Sequence, residues 1–503
     1  MERSISASIG IDMGTTAIKG VLLSESGDFL AAEKVETIYK NLSPESPKSR
    51  ELEPESIYLS ICRLIKKLLD RAGPPAGVPS IQVKGLSING ASGNTLLLDR
   101  NRKPLGSVIS WLDRRADSPI QELLPDLDTA GFHRIVGWPW RGSFTFAHLA
   151  WLKKHTPDIY AEAAYPCMYL EYLLYRLTGT WEIDTSNATL SFLQDQEKKA
   201  WHPPYCRAVD IEPETRPLIK STGETRGTPT SEFVENTGIP KEITIVHGSF
   251  DHPGAARAAG VLTEKDILLS CGTSWVCFYP IGDRNSSISL GLLTDPFLST
   301  ENGPWGGIFS LSRVGTVIER YIDLISGPSD DDTYTRFNRL AGQSSPGAEG
   351  LFINVLKERE KTVNAERLLS RHTPASIARA VMEGPAYEIS ARLKILSREG
   401  RNPERLVMVG GPAESPVWPQ IIADILGLEI EIQKGQMMGA AGAALVAGCA
   451  TGVFSGLHEA HRLLDRKQTS VCPDPNRHAL YTDIFQKYIE TEYGGKIPPL
   501  IVE

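Results

Sequence analysis

One short pattern occurs twice in this chain and limits what it can fold into. Ile9 to Leu23 reads IGIDMGTTAIKGVLL, and Leu268 to Phe278 reads LLSCGTSWVCF. In each copy an apolar strand enters a Gly-Thr-Thr or Gly-Thr-Ser turn and a second apolar strand leaves it. The glycine permits the reversal, and the hydroxyls sit at its tip. The first copy adds a carboxylate, Asp12, before the turn and a cation, Lys19, after it. Two such hairpins, one near the start of each half, fit a clamp on a polyphosphate. Backbone N–H groups and hydroxyls of Thr15, Thr16, Gly272, Thr273 and Ser274 would bind its oxygens, and Asp12 would hold a magnesium ion. Taken singly, each turn also fits an ordinary hairpin, Asp12 a strand-end Asx turn, and Lys19 a solvated lysine. The pairing of the two turns favours the phosphate reading.

At 503 residues the chain exceeds one ordinary core and fits two domains. A formal charge of −8 and the lack of a dense Lys/Arg stripe argue against a nucleic-acid surface. That charge is compatible with an anionic nucleotide, because local N–H groups and a metal ion outweigh it. No apolar run reaches the length of a membrane span, and the start has no basic-then-apolar leader. Seven scattered cysteines without CxxC spacing read as thiols in a reducing compartment, so a cytoplasmic protein is expected.

The order of elements follows from periodicity. Phe29 to Glu36 predicts a third strand. Ile57, Ile61, Leu64, Ile65, Leu68 and Leu69 share a helical face, Gly73 to Pro79 ends that helix, and Ile81 to Ile88 returns to strand. Three strands, a helix and a strand form the opening order of a ribonuclease-H-like domain. The order resumes after Ile245, with a strand into Gly248, a helix from about His252 to Gly260, and then the second hairpin. The expected domains are therefore 1–243 and 244–503, with 123–240 a mostly helical insertion that shapes a substrate pocket.

Several residues carry candidate chemistry. Asp251 sits between a strand end and a helix start, where it is either an N-cap or a carboxylate aimed into a cleft at the positive end of the helix. Val407 to Val409 predicts a strand, Gly410 and Gly411 a turn close to a flat base, and Ser415-Pro416 the cap of a helix running to Gly427. Gly439 to Gly448, GAAGAALVAG, is a helix of small residues suited to close packing, beside a nucleotide or simply against another element. Trp111, Asp113 and Arg114 offer an aromatic face and a carboxylate for a polyol, or else a buried tryptophan beside a surface ion pair.

Taken in order, these segments resemble the FGGY carbohydrate kinases of the actin/Hsp70/sugar-kinase superfamily, over nearly the whole chain. IGIDMGTTAIKGVLL is similar to the family's first phosphate motif, SVISWLDRRA to its sugar-site strand, and FTFAHLAWLKKHTPDIYAEA and YLEYLLYRLTG to its central helices. GSFDHPGAARAAG resembles the catalytic-aspartate segment, LLSCGTSWV the second phosphate motif, and VMVGGPAESPVWPQIIADILG the adenosine motif.

The resemblance implies an α/β fold of two ribonuclease-H-like (actin-like ATPase) domains with an interdomain cleft, the first binding sugar and the second nucleotide. It implies ATP-dependent phosphorylation, with Mg2+, of a hydroxyl of a small sugar, polyol or sugar acid, foremost a pentulose such as xylulose. Asp251 becomes the general base, in contact with substrate alongside Ser92, Trp111, Asp113, Arg114 and Glu171, the last at the place of a family aspartate. Thr15, Thr16, Lys19, Gly272, Thr273, Ser274, Gly315, Gly410, Gly411 and Ser415 become the nucleotide side, and Asp12 the metal ligand. A small-molecule sugar is the expected partner, without nucleic acid or membrane; the assembly is left open, a homodimer among the options. A catalytically silent sugar-sensing regulator and an Hsp70-like ATPase are the alternatives, and retention of Asp12 and Asp251 weighs against the first.

The sequence departs from the family at several points. Ser92-Gly93 stands where glycerol kinases carry Arg-Glu and xylulose kinases carry Met-His, which predicts extra room in the pocket. His148 replaces a common lysine, Pro412 and Glu414 alter the adenosine motif, and the loop between Gly350 and Ala378 is shortened.

Overall fold

The computed structural model describes residues 4–40, 49–72, 80–91, 93–326, 332–360, 365–435, 437–464 and 468–500. The backbone forms two compact units, residues 1–260 with 293–305 and 437–465, and residues 261–292 with 306–436 and 466–503. The expected boundary at 243/244 therefore falls inside unit 1. The chain leaves that unit only after the helix that begins at Asp251, and it returns twice.

Unit 1 is built on a six-stranded sheet. Strands β1 (Ser4–Met13), β2 (Ala17–Ser24) and β3 (Phe29–Glu36) form an antiparallel meander. Helix α1 (Pro54–Arg71) follows, with proline in its first turn, and buries Ile57, Ile61, Leu64, Ile65 and Leu68 against this sheet. Then β4 (Ser80–Gly90) and β5 (Thr244–Phe250) add in parallel beside β1. Thr225–Gly227 closes the edge antiparallel to β5. Helix α2 (Asp251–Ala259) springs directly from the end of β5. The helical break expected at Gly73 to Pro79 lies outside the described residues.

The small-residue helix Met438–Ala450 covers the sheet beside β1, β4 and β5. Its place is in unit 1, not in the half expected to bind nucleotide. The approach is backbone to backbone. A Cβ on Gly10 of β1 would overlap the Ala440 carbonyl oxygen and the Ala444 nitrogen. Neither atom can swing aside as a side chain would, so Gly10→Ala should destabilise the protein by about 1–3 kcal/mol, the usual range for overpacking. Urea unfolding of the purified variant checks this; a midpoint equal to the parent's would show that helix and sheet separate without cost.

The stretch 123–240 is less helical than expected. Helices such as Phe132–Val136, Thr145–His155 and Tyr169–Thr178 alternate with two- to four-residue strands. Prolines and glycines interrupt the segments, and Phe132, Trp140, Phe144, Phe192 and Tyr205 hold them together edge to face and tilted. A small antiparallel sheet joins Glu51–Leu52, Thr95–Leu98, Val108–Ile109 and Tyr165–Met168.

Unit 2 repeats the plan. Strands β6 (Asp266–Cys271) and β7 (Trp275–Ile281) form the second hairpin. Long helix α3 (Pro374–Arg398), capped by Thr373, precedes β8 (Arg405–Gly410), which lies parallel to β6. Helix α4 (Trp418–Leu426) ends at left-handed Gly427, and β9 (Glu429–Gln433) adds parallel to β8. Each unit is thus a hairpin-led sheet extended by parallel strands, as the recurrent pattern required. No helix among the described residues is long and apolar enough to cross a membrane.

Candidate active site

Asp12 lies near the end of β1, paired across the ladder with Lys19 on β2 and with Asn89 on β4. The small-residue helix presses on it, since a Cβ on Gly439 would sit 2.5 Å from Asp12 Oδ2. Its Oδ1 is buried and has no hydrogen-bond partner among the described residues. Burial and the neighbouring charge of Asp251 push the Asp12 carboxyl from 3.8 up to about 7, while Lys19 pulls it down. An unpartnered, reluctant carboxylate beside a second carboxylate is a place where a cation relieves both costs, so Asp12 fits a magnesium ion.

Asp251 is the first residue of α2 and not its cap; the N-cap is Phe250. Its Oδ1 accepts from the His252 N–H at 2.7 Å, and Oδ2 takes no part in that bond. The structure therefore brings Asp12 and Asp251, 239 residues apart in sequence, into electrostatic contact within one unit.

The first turn is tied to the end of β3. Thr37 Oγ1 donates to the Gly14 carbonyl at 2.9 Å, and the Tyr39 hydroxyl donates to the Thr15 carbonyl at 3.2 Å. Thr16 is exposed at the tip, and Lys19 is half-buried on β2. Beside this turn opens a shallow recess with Met13, Ile18 and Ile57 on its apolar side and Thr15, Tyr39, Asn94, Ser110 and Trp111 on its polar side. The Trp111 indole N–H is buried and unpartnered among the described residues, and Asn94 Oδ1 accepts from its backbone N–H at 3.0 Å.

The remaining sugar-side expectations divide. Asp113 is fully buried and accepts from the Arg115 guanidinium at 2.8 Å and from the Arg50 N–H at 2.6 Å, so its oxygens are occupied within the protein. Arg114 is exposed and pairs with Asp117. Glu171 is buried in the helix Tyr169–Thr178 with Arg216 at 2.6 Å, and burial raises its carboxyl to about 7. All three are engaged in ion pairs within the protein. Ser92 lies outside the described residues. The room expected at Gly93 is filled, because a Cβ there would meet the Phe144 ring at 2.5 Å. His148 is buried beside Thr95, and burial lowers it to about 4.

In unit 2 the residues expected to face nucleotide come from three stretches. Gly272 and Thr273 are exposed at the second turn. The Gly315 N–H donates to the Thr273 carbonyl at 2.9 Å, and the Arg313 N–H donates to Ser274 Oγ at 3.1 Å. A Cβ on Gly315 would lie 2.5 Å from the Gly272 carbonyl oxygen, so only glycine lets the two turns meet. Gly410 adopts φ +102° and backs onto Cys271, while Gly411 is exposed with open space above it. Helix α4 starts at Trp418, later than Ser415-Pro416 suggested, because a 3-10 turn occupies Gly411–Glu414. Ser415 Oγ still accepts from the Val417 and Trp418 N–H groups and donates to Asn338 Oδ1. An exposed Gly-Thr-Ser turn beside an open Gly-Gly turn has the donors and the clearance that phosphates and a flat base need.

Residue patterns alone did not expose Tyr39, Asn94 or Ser110, whose place depends on the small antiparallel sheet. Gly439 belonged to a helix whose partner the sequence left open.

Residues 7–257 match the N-terminal domain of the FGGY family of carbohydrate kinases, and residues 334–451 match its C-terminal domain. The chain is 26% identical over 497 residues to a xylulose kinase of Staphylococcus epidermidis, covering 95% of each protein. It is 26% identical over 490 residues to the L-xylulose/3-keto-L-gulonate kinase of Escherichia coli, again covering 95% of each. The xylulose kinase structure from Rhodospirillum rubrum superposes with a TM-score of 0.85 at 22% identity, covering 96% of this chain and 97% of that one.

Proposed function

Since this chain belongs to the FGGY family of carbohydrate kinases, we propose that the hydroxyl it phosphorylates is that of a pentulose such as xylulose. The enzyme is a phosphotransferase with two actin-like ATPase domains, using ATP and Mg2+ to phosphorylate a sugar. The pentulose assignment draws on the two relatives above, matched along almost their full length, and on the recess beside the first turn. An indole with an unpaired N–H, a phenol, an amide and two hydroxyls suit a short carbon chain that carries several hydroxyls.

Asp251 accepts the proton of the attacking hydroxyl as the oxygen forms its bond to phosphorus and the bond to the ADP oxygen breaks. The N-terminus of α2 favours the negative charge that Asp251 carries before it takes the proton. Asp12 would hold the magnesium ion, directly or through water, and that ion supplies charge neutralisation at the phosphates when bound. In unit 2, Gly272, Thr273 and Ser274 bind phosphate oxygens, and Gly410 and Gly411 pass beneath the adenosine. Unit 1 is then the acceptor side and unit 2 the nucleotide side. The observation that carries this mechanism is the electrostatic coupling of Asp12 and Asp251 in one unit, one with an unpartnered carboxylate oxygen and the other at the start of a helix. A chemistry that consumes ATP fits the cytoplasm.

An ADP-release screen over pentuloses, hexuloses, polyols and sugar acids tests the substrate. A pocket built around hydroxyl partners rejects ligands that leave them unpaired, so glycerol should show kcat/KM at least ~10²-fold below the best pentulose. Glycerol outperforming every longer candidate overturns the substrate reading, and no ADP release with any of these sugars would point to the silent regulator instead.

A further inference from the structure

Strand β5 does not run cleanly into α2. Its ladder to β4 pairs His247 with Ile88 and then Phe250 with Gly90, so three steps on β5 face two on β4. This is a bulge at Gly248-Ser249, immediately before Asp251. Bulges bend a strand and re-aim the side chains that follow, and they leave backbone groups without ladder partners. Here two buried side chains take those groups. Asn89 Oδ1 accepts from the Ser249 N–H at 2.9 Å, and Asn89 Nδ2 donates to the Gly439 carbonyl at 2.9 Å. A backbone N–H can only donate and a carbonyl can only accept, so the orientation of the amide is fixed. Ser186 Oγ accepts from the Phe250 N–H at 3.0 Å and donates to Asp295 Oδ2 at 2.6 Å.

The anchors are themselves anchored. Asp295 Oδ1 accepts from the Phe297 N–H at 2.8 Å, and the Arg257 guanidinium donates to the Phe297 carbonyl at 2.9 Å and to Ser249 Oγ at 3.1 Å. Phe297 is buried at φ +43°, a conformation that a bulky residue holds only when its surroundings impose it. Gly254 in α2 lies so close to the Asn89 amide that a Cβ would overlap Nδ2. The fixed points therefore lie on β4, on the short helix Thr185–Thr189, on 295–297 and on the small-residue helix, and all of them hold the two residues that precede Asp251.

We propose that Asn89 and Ser186 form a clamp on this bulge that sets the direction of the Asp251 carboxylate, making both of them positioning residues for phosphoryl transfer. The inference rests on the reading of Asp251 as the base. Asn89 also ties Gly439, the residue packed on Asp12, to the strand that leads into Asp251, so one amide spans the backbone behind both carboxylates. Neither side chain needs to touch substrate for this role.

The test is a set of variants in the full-length enzyme assayed on its best sugar. Ser186→Ala removes the acceptor for the Phe250 N–H, and a misdirected base of this kind costs about 10²-fold in rate. The expected result is that kcat falls by this order while KM for sugar and for MgATP stays within about threefold, on the same footing. Ser186→Thr, which keeps the hydroxyl, should restore most of kcat, and Asn89→Ala should repeat the Ser186→Ala pattern. Adding Ser186→Ala to Asp251→Asn should cost no further rate, because the clamp acts only through Asp251. An Asp251→Asn enzyme that retains near-parental kcat overturns the base itself. If Asp251→Asn is slow but folded Ser186→Ala and Asn89→Ala variants keep parental kcat, or if Ser186→Ala slows Asp251→Asn as much as it slows the parent, the clamp is overturned and the base stands.

Discussion

Asp251→Asn should lower kcat on a pentulose by ~10²–10⁴, the usual cost of losing a positioned general base. The change keeps the volume of the side chain and its place at the start of α2 while removing the charge, so sugar and nucleotide should bind nearly as before. Initial rates over a range of both substrates, with circular dichroism to show that the variant is folded, give the answer. A folded variant with near-parental kcat would falsify the assignment. The same substitution removes the charge that helps to raise Asp12, so it changes the electrostatics of the neighbouring carboxylate as well as the chemistry.

Asp12→Asn should be inactive or strongly impaired at ordinary magnesium levels and yet more stable than the parent at alkaline pH. Asp12 titrates near 7 in the folded protein against 3.8 for the free side chain. The folded state therefore holds the proton more tightly than the unfolded state. That contribution to stability is complete below about pH 4 and is lost as pH rises through the folded value. The shift corresponds to at most ~4 kcal/mol at pH 8 in the metal-free protein. Melting temperatures of parent and Asp12→Asn without magnesium should thus agree near pH 4 and separate with increasing pH, the variant higher. Added magnesium should raise the parent and leave the variant where it was. A variant that melts below the parent at pH 8 would mark Asp12 as a structural partner and not a destabilised metal ligand.

The hairpins were legible in the sequence because their physics is local: apolar alternation, a glycine at the reversal and hydroxyls at the tip suffice. Asp251 was legible for the same reason, as a carboxylate at a strand–helix junction, although its helix takes Phe250 as its cap and begins at the aspartate itself. The long segment 123–240 was not, because its order comes from aromatic rings that meet across sequence and hold together pieces too short to show a period. Asp113 illustrates a different limit. A carboxylate near a tryptophan and arginines fits a sugar or an ion pair equally well on paper, and only the approach of Arg115 decides how its oxygens are used. Asn89 and Ser186 had no signal at all, since an ordinary strand amide or short-helix hydroxyl becomes an anchor only where a neighbouring ladder slips by one step. The helix at Gly439 announced close packing through its composition, but composition names no partner.

That helix sets a timetable for the enzyme's birth. Strand β1 leaves the ribosome early, whereas its cover, Met438–Ala450, is translated only after the body of unit 2. At bacterial and eukaryotic elongation rates the roughly 420 residues between the two take roughly 20–85 s to add. Throughout that interval the Gly10 side of β1 lacks the cover it has in the folded protein. The packing of Gly439 on Asp12 therefore comes only after translation has passed residue 438.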